Sequence, residues 1–115
     1  MPFFLFIMFS YNITFVADTK EEARLLTYLR SELIPALFNP DSGAGNPELK
    51  KIIEAGGEKQ GEEHGVSLAL SAIFESEAEA RLWHDEVAVP ALGDFHLKFG
   101  ERALFFITLL EFLEV

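Results

Sequence analysis

Three stretches of the chain have a strand-like pattern, and in two of them hydrophobic and polar residues alternate with period two. In residues 9–17, Phe9, Tyr11, Ile13 and Phe15 alternate with Ser10, Asn12, Thr14 and Val16. In residues 66–74, Val66, Leu68, Leu70, Ala72 and Phe74 alternate with Ser67, Ala69, Ser71 and Ile73. Period two sends successive side chains to opposite sheet faces, so both stretches are expected to be half-buried strands. The third, residues 103–113, is apolar on both sides. Leu104, Phe106, Leu110 and Phe112 flank Thr108 on one, and Phe105, Ile107, Leu109 and Leu113 lie on the other. A further strand is expected near residues 49–58, where Leu49, Ile52 and Ile53 precede Gly56 and Gly57. The same residues also suit a short helical turn followed by a loop. Residues 39–47 (NPDSGAGNP) read as loop, and residues 56–65 as a hairpin connection.

Between the strands lies a repeated helix start. Residues 19–25 are Thr-Lys-Glu-Glu-Ala-Arg-Leu and residues 76–82 are Ser-Glu-Ala-Glu-Ala-Arg-Leu, an offset of 57. Thr19 with Glu22, and Ser76 with Glu79, have the spacing of a capping box, in which hydroxyl and carboxylate satisfy the first free N–H groups of a helix. Each copy later meets a Pro-Ala-Leu, at Pro35 and Pro90. On the second helix, Leu82 and Trp83 are expected to face the sheet. The order is βαβ, twice. Two such units predict an α+β fold, the ferredoxin-like βαββαβ plait: a four-stranded antiparallel sheet with two helices on one face. One domain over residues 1–115 is expected, with residues 1–7 as an apolar extension.

Composition narrows the function. The 115 residues contain no cysteine, which removes disulfide scaffolds, thiolate nucleophiles and cysteine zinc clusters. Nineteen acidic against nine basic residues give a formal charge of −10, and phosphate recognition needs the opposite balance, so no nucleic-acid partner is expected. The acids Glu21, Glu22, Glu32, Glu77, Glu79, Asp85 and Glu86 fall on the helices and read as a solvated face. Half the residues are nevertheless apolar and twelve are Phe. The uncharged first seventeen residues are too short and too interrupted, by Ser10, Tyr11, Asn12 and Thr14, for a spanning helix. They also lack the basic start of an export signal. No membrane association and a cytoplasmic location are therefore expected. Residues 1–7 read as an extra strand segment or as the product of an upstream start codon.

A plait leaves one sheet face bare. The polar set Ser10, Asn12, Thr14, Ser67 and Ser71 should occupy it, beside an apolar last strand. That much exposed apolar surface predicts a homodimer through the sheet, paired as a dimeric α+β barrel. The five polar residues are candidate contacts for a small, partly apolar ligand between the sheets; alternatively they bond across strands or to trapped water. Candidate proton carriers are weaker. His84 and His96 have acidic neighbours, as does His64, but in so acidic a chain proximity alone does not mark a site. No metal site and no cofactor are expected, because ligand spacing, phosphate loop and dinucleotide turn are all lacking.

Several short motifs carry a resemblance. Tyr11-Asn12-Ile13-Thr14-Phe15, Ile34-Pro35, Pro90-Ala91-Leu92, Lys98-Phe99-Gly100-Glu101-Arg102 and the closing Phe106-Ile107-Thr108-Leu109-Leu110-Glu111 resemble domain-of-unknown-function family 4286 (DUF4286), from residue 8 to the C-terminus with the middle loop poorly matched. The family is similar to the dimeric α+β barrel group, which includes cofactor-independent monooxygenases of antibiotic biosynthesis. The resemblance thus implies the same plait and sheet-to-sheet dimer, and no particular reaction. The family pattern places a His before Ile-Pro and another before Ala-Pro-Ala-Leu; here Leu33 and Val87 hold those places. Two readings follow. One is a dimeric binding or structural protein. The other is a monooxygenase-like enzyme acting on a small, partly apolar substrate, with Ser10, Asn12, Thr14 and Ser71 as contacts and His84 or His96 moving protons.

Overall fold

The alternating stretches form antiparallel strands of one sheet, in the order β2-β3-β1-β4. A computed structural model describes residues 8–42, 44–53 and 65–115. The strands are β1 (Phe9–Asp18), β2 (Gly45–Lys51), β3 (Gly65–Phe74) and β4 (Ala103–Glu111). β1 lies between β3 and β4, with Asn12 opposite both Ser71 and Thr108, and Thr14 opposite both Ala69 and Phe106. Each crossover carries a helical arm, the first built of α1 (Glu22–Tyr28) and α2 (Ile34–Leu37), the second of α3 (Glu77–Trp83) and α4 (Val89–Phe99). The fold is the ferredoxin-like α+β plait.

Both arms are interrupted in the same way. A π-helical turn, Leu29–Leu33 in one and His84–Ala88 in the other, precedes Ile34-Pro35 and Val89-Pro90. The N–H of Ile34 reaches back five residues to Leu29 O, and that of Val89 to His84 O. Proline lacks an N–H and its ring collides with the carbonyl four residues earlier. Widening the preceding turn lets the helix accept the proline and continue.

The helix-facing side of the sheet is the core. Tyr11, Ile13, Phe15, Leu68, Leu70 and Ala72 are buried there against Leu25, Leu29, Leu33, Leu92, Phe95 and Phe99. Two aromatic clusters close it. Phe95 meets Phe15 edge-on at 5.2 Å and stacks on Phe99 at 4.9 Å, while Trp83 packs against Tyr11 at 4.9 Å and Phe74 at 5.2 Å. The Trp83 indole N–H also donates to Leu37 O at 3.2 Å, occupying a carbonyl that the end of α2 leaves unpaired. Gly100 ends α4 at φ 56°, a conformation that side chains disfavour.

Four expectations need correction. The strand placed near residues 49–58 starts earlier, at Gly45, so the predicted loop ends before Gly45-Asn46-Pro47, and Leu49–Lys51 is strand rather than helical turn. Pro47 is tolerated because β2 is an edge strand with a register irregularity between Gly45 and Glu48. Thr19 does not cap the first arm: Asp18 accepts from Lys20 N at 3.2 Å and opens a 3-10 turn, Thr19–Glu21, ahead of α1. Ser76 does cap α3, accepting from Glu79 N at 3.0 Å. Leu82 is exposed while Trp83 alone faces the sheet, since consecutive helical residues point about 100° apart. The hairpin expected over residues 56–65 and the extension at residues 1–7 lie outside the described residues, apart from Gly65, which opens β3. Among the described residues, no helix is long and apolar enough to cross a membrane.

Candidate functional site

The face of the sheet turned away from the helices collects the polar residues singled out above. Ser10, Asn12 and Thr14 on β1 and Ser67 and Ser71 on β3 are all half-buried and alternate with core residues on their strands. The register sets them in rows across the sheet. Glu48, Ser71, Asn12 and Thr108 form one, polar from edge to edge. Rows on either side turn apolar toward β4: Ile73, Ser10 and Leu110 on one, Ala69, Thr14 and Phe106 on the other. The next row holds Ser67, Val16 and Leu104. A polar strip thus crosses a face that grows increasingly apolar toward the β4 edge.

That edge gathers several exposed apolar side chains on one face. Phe106 is 57 % exposed, Phe112 54 %, and Leu104 and Leu110 about half. At the opposite edge Glu48 and Lys50 form an ion pair at 3.1 Å. Within the described residues, the side chains of Ser10, Asn12, Thr14, Ser67, Ser71 and Thr108 appear in none of the hydrogen bonds that hold the chain together. Their donors and acceptors are open to whatever covers the face.

The two candidate proton carriers, His84 and His96, lie elsewhere, and His64 is outside the described residues. His84 opens the π-turn of the second arm, on the helical side of the sheet, and its Nδ1 is 2.5 Å from the Tyr11 hydroxyl. Burial, and secondarily the Asp85 carboxylate, push the Tyr11 phenol above its ordinary value of 10.0. Tyr11 therefore stays protonated and shares this hydrogen bond with the His84 ring. His96 is exposed on α4. Tyr11 and Asn12 are adjacent in sequence, yet the pleat aims them at opposite layers. The hydroxyl and amide groups are brought together, and neither histidine joins them. Among the described residues no cluster of three His, Asp or Glu is disposed to hold a metal.

Sequence reasoning missed three members of the open face. Thr108 was hidden in an apolar run, and only its register opposite Asn12 extends the polar row to β4. Glu48 and Lys50 were obscured by the misplaced start of β2. The signal for Thr108 was available, as the one hydroxyl on the outward side of the last strand. Away from the sheet face, a cleft of about 680 Å³ opens between α1 and the end of α4, lined by Arg24, Thr27, Tyr28, Glu32, Lys98 and Arg102 among others.

Comparison with known proteins agrees with this architecture. The profile of a family described as "Domain of unknown function (DUF4286)" matches residues 8–113, and the chain belongs to that family. No curated protein matches it. Among solved structures, one similar fold is a protein of unknown function from Nitrosomonas europaea, 16 % identical, with a TM-score of 0.59 over 96 % of this chain and 93 % of that one. Another is an EthD family protein from Bacillus halodurans, 14 % identical, TM-score 0.60, covering 93 % and 99 %. A third is described as a dimeric ferredoxin-like protein from an uncultured marine organism, 11 % identical, TM-score 0.57, covering 95 % and 99 %. At these identities the likeness is one of fold.

Proposed function

We propose that this DUF4286 protein works as a homodimer, its two sheets packed open face to open face as a dimeric α+β barrel, with a small, partly apolar ligand held between them. The observation that carries the reading is the exposed side of β4. Leu104, Phe106, Leu110 and Phe112 stand side by side, about half exposed, beyond what an isolated surface residue needs explained. Covering each adds roughly 0.8–1.5 kcal/mol, half the value of burying such a side chain completely. A structural neighbour described as dimeric lends support from the fold.

The polar strip gives the interior its chemistry. In a closed sheet pair Asn12, Ser71 and Thr108, with Ser10, Thr14 and Ser67 beside them, leave bulk water. Each uncompensated polar group then costs about 1–3 kcal/mol. A ligand bearing neutral hydroxyl, carbonyl or amide groups, or ordered water, supplies the missing partners. The strip's own groups are uncharged up to Glu48, and Phe106 stands beside Thr14, which suits a neutral ligand with an apolar or aromatic portion. The reading is one of binding rather than turnover, because His84 and His96 stand on the other layer. Native mass spectrometry of freshly purified protein tests both parts. A dimer, with or without an added small-molecule mass, is expected; a monomer at micromolar concentration contradicts the pairing. A dimer stripped of ligand that takes up no neutral aromatic amide or alcohol contradicts the ligand.

A further inference from the structure

We infer that the cleft between α1 and the end of α4 binds a small organic anion, a carboxylate or phosphate attached to an apolar group. It lies among the helices, not on the sheet face, and is independent of the pairing proposed above. Three cations line it, Arg24, Lys98 and Arg102, against one carboxylate, Glu32. The chain as a whole has nineteen acids and nine bases. This concavity reverses the protein's overall charge balance.

Ordinary surface pairing accounts for Arg24 only loosely and, among the described residues, not for Lys98 or Arg102. Lys50, Lys51 and Arg81 each sit 2.7–3.1 Å from a carboxylate. In the cleft, Arg24 has only a 3.8 Å approach to Glu21, and among the described residues no carboxylate pairs with Lys98 or Arg102. Lys98 and Arg102, at the end of α4, are where a helix dipole welcomes positive charge. Arg24 lies in the first turn of α1, where the dipole opposes it.

The apolar part of the lining is Ala23 and the Tyr28 ring. Tyr28 meets the Phe99 ring edge-on at 5.5 Å, and the Arg102 guanidinium lies 5.9 Å from the centre of that ring. Two bonds hold the guanidinium there, Nη2 to Lys98 O at 2.7 Å and Nε to Phe99 O at 3.2 Å. Its geometry is thus fixed before a ligand arrives, which lowers the ordering cost of binding. Tyr28, its phenol raised by burial and then by the Asp94 and Glu32 carboxylates, remains a donor. The anionic group is placed by the three cations of the lining, Arg24, Lys98 and Arg102.

Titrations with phenyl phosphate, benzoate and inorganic phosphate, followed by backbone amide NMR, test the inference. Both organic anions are expected to produce saturable shifts in Ala23–Glu32 and Lys98–Arg102, with inorganic phosphate binding more weakly. The Arg24→Gln/Lys98→Gln variant should weaken binding about tenfold. A Lys51→Gln/Arg81→Gln variant, which removes the same charge elsewhere, should leave it within about twofold. Absence of saturable shifts in the cleft, equal affinity for inorganic phosphate, or equal weakening by the two variants overturns it.

Discussion

Ile13 and Thr14 are neighbours on the central strand and sit in opposite worlds. Ile13 lies between Leu70 and Ile107, on the side closed by helices of its own chain; Thr14 lies between Ala69 and Phe106, on the side that no described element covers. One face is finished by intramolecular packing down to its aromatic contacts. The other combines apolar surface with unused hydrogen-bonding groups. The difference teaches that a sheet's two faces can be selected for different partners while sharing one backbone, and that stability and association should separate cleanly when each is cut.

The largest effect should come from the closed face. Phe15→Ala removes a fully buried ring that meets Phe95 and is expected to cost about 3–5 kcal/mol in denaturant unfolding. Next, on the open face, Phe106→Glu should raise the dimer dissociation constant about a hundredfold or more while leaving the far-ultraviolet circular dichroism of the chain unchanged. If Phe106→Glu unfolds the protein even where the wild type is monomeric, the two faces are not separable.

A smaller change sits behind the sheet. Tyr11→Phe deletes the hydroxyl that bonds His84 and should cost about 1 kcal/mol. It also sharpens the pH behaviour. The chain has two tyrosines, and both phenols are raised in the fold. Above pH 10.0 the unfolded chain releases these protons and the folded one retains them, so stability present below that pH is lost as pH rises. Phenolate absorbance should therefore rise together with unfolding, and the Tyr11→Phe protein should show a shallower alkaline loss. The smallest expected effect on stability is Asn12→Ala, within about 0.5 kcal/mol for the monomer, since its side chain bonds nothing described in the chain. A ligand retained by the wild type and lost by Asn12→Ala would place that residue at the site.

Much of this contrast was legible from the residues. Period-two alternation sorted Tyr11, Ile13 and Phe15 from Ser10, Asn12 and Thr14, and β4 was visibly apolar on both sides. The repeat announced two arms, although Asp18 displaced Thr19 as the first cap because a carboxylate one residue earlier reaches the Lys20 N–H first. β2 was misplaced because Gly and Pro read as loop, and edge pairing overrides that local preference. The rows across the open face, the Tyr11–His84 bond and the meeting of Arg24 with Lys98 and Arg102 join residues distant in sequence. Register and helix docking decide such contacts, and no local pattern encodes them.

The central claim is that the open face is covered by a second copy. Sedimentation equilibrium of the wild type and Phe106→Glu side by side at micromolar concentration tests it most directly. The wild type should sediment at twice the 12.9 kDa mass of one chain and the variant at that of a single chain. A wild type that sediments as a monomer, or a variant that remains fully dimeric, contradicts the account.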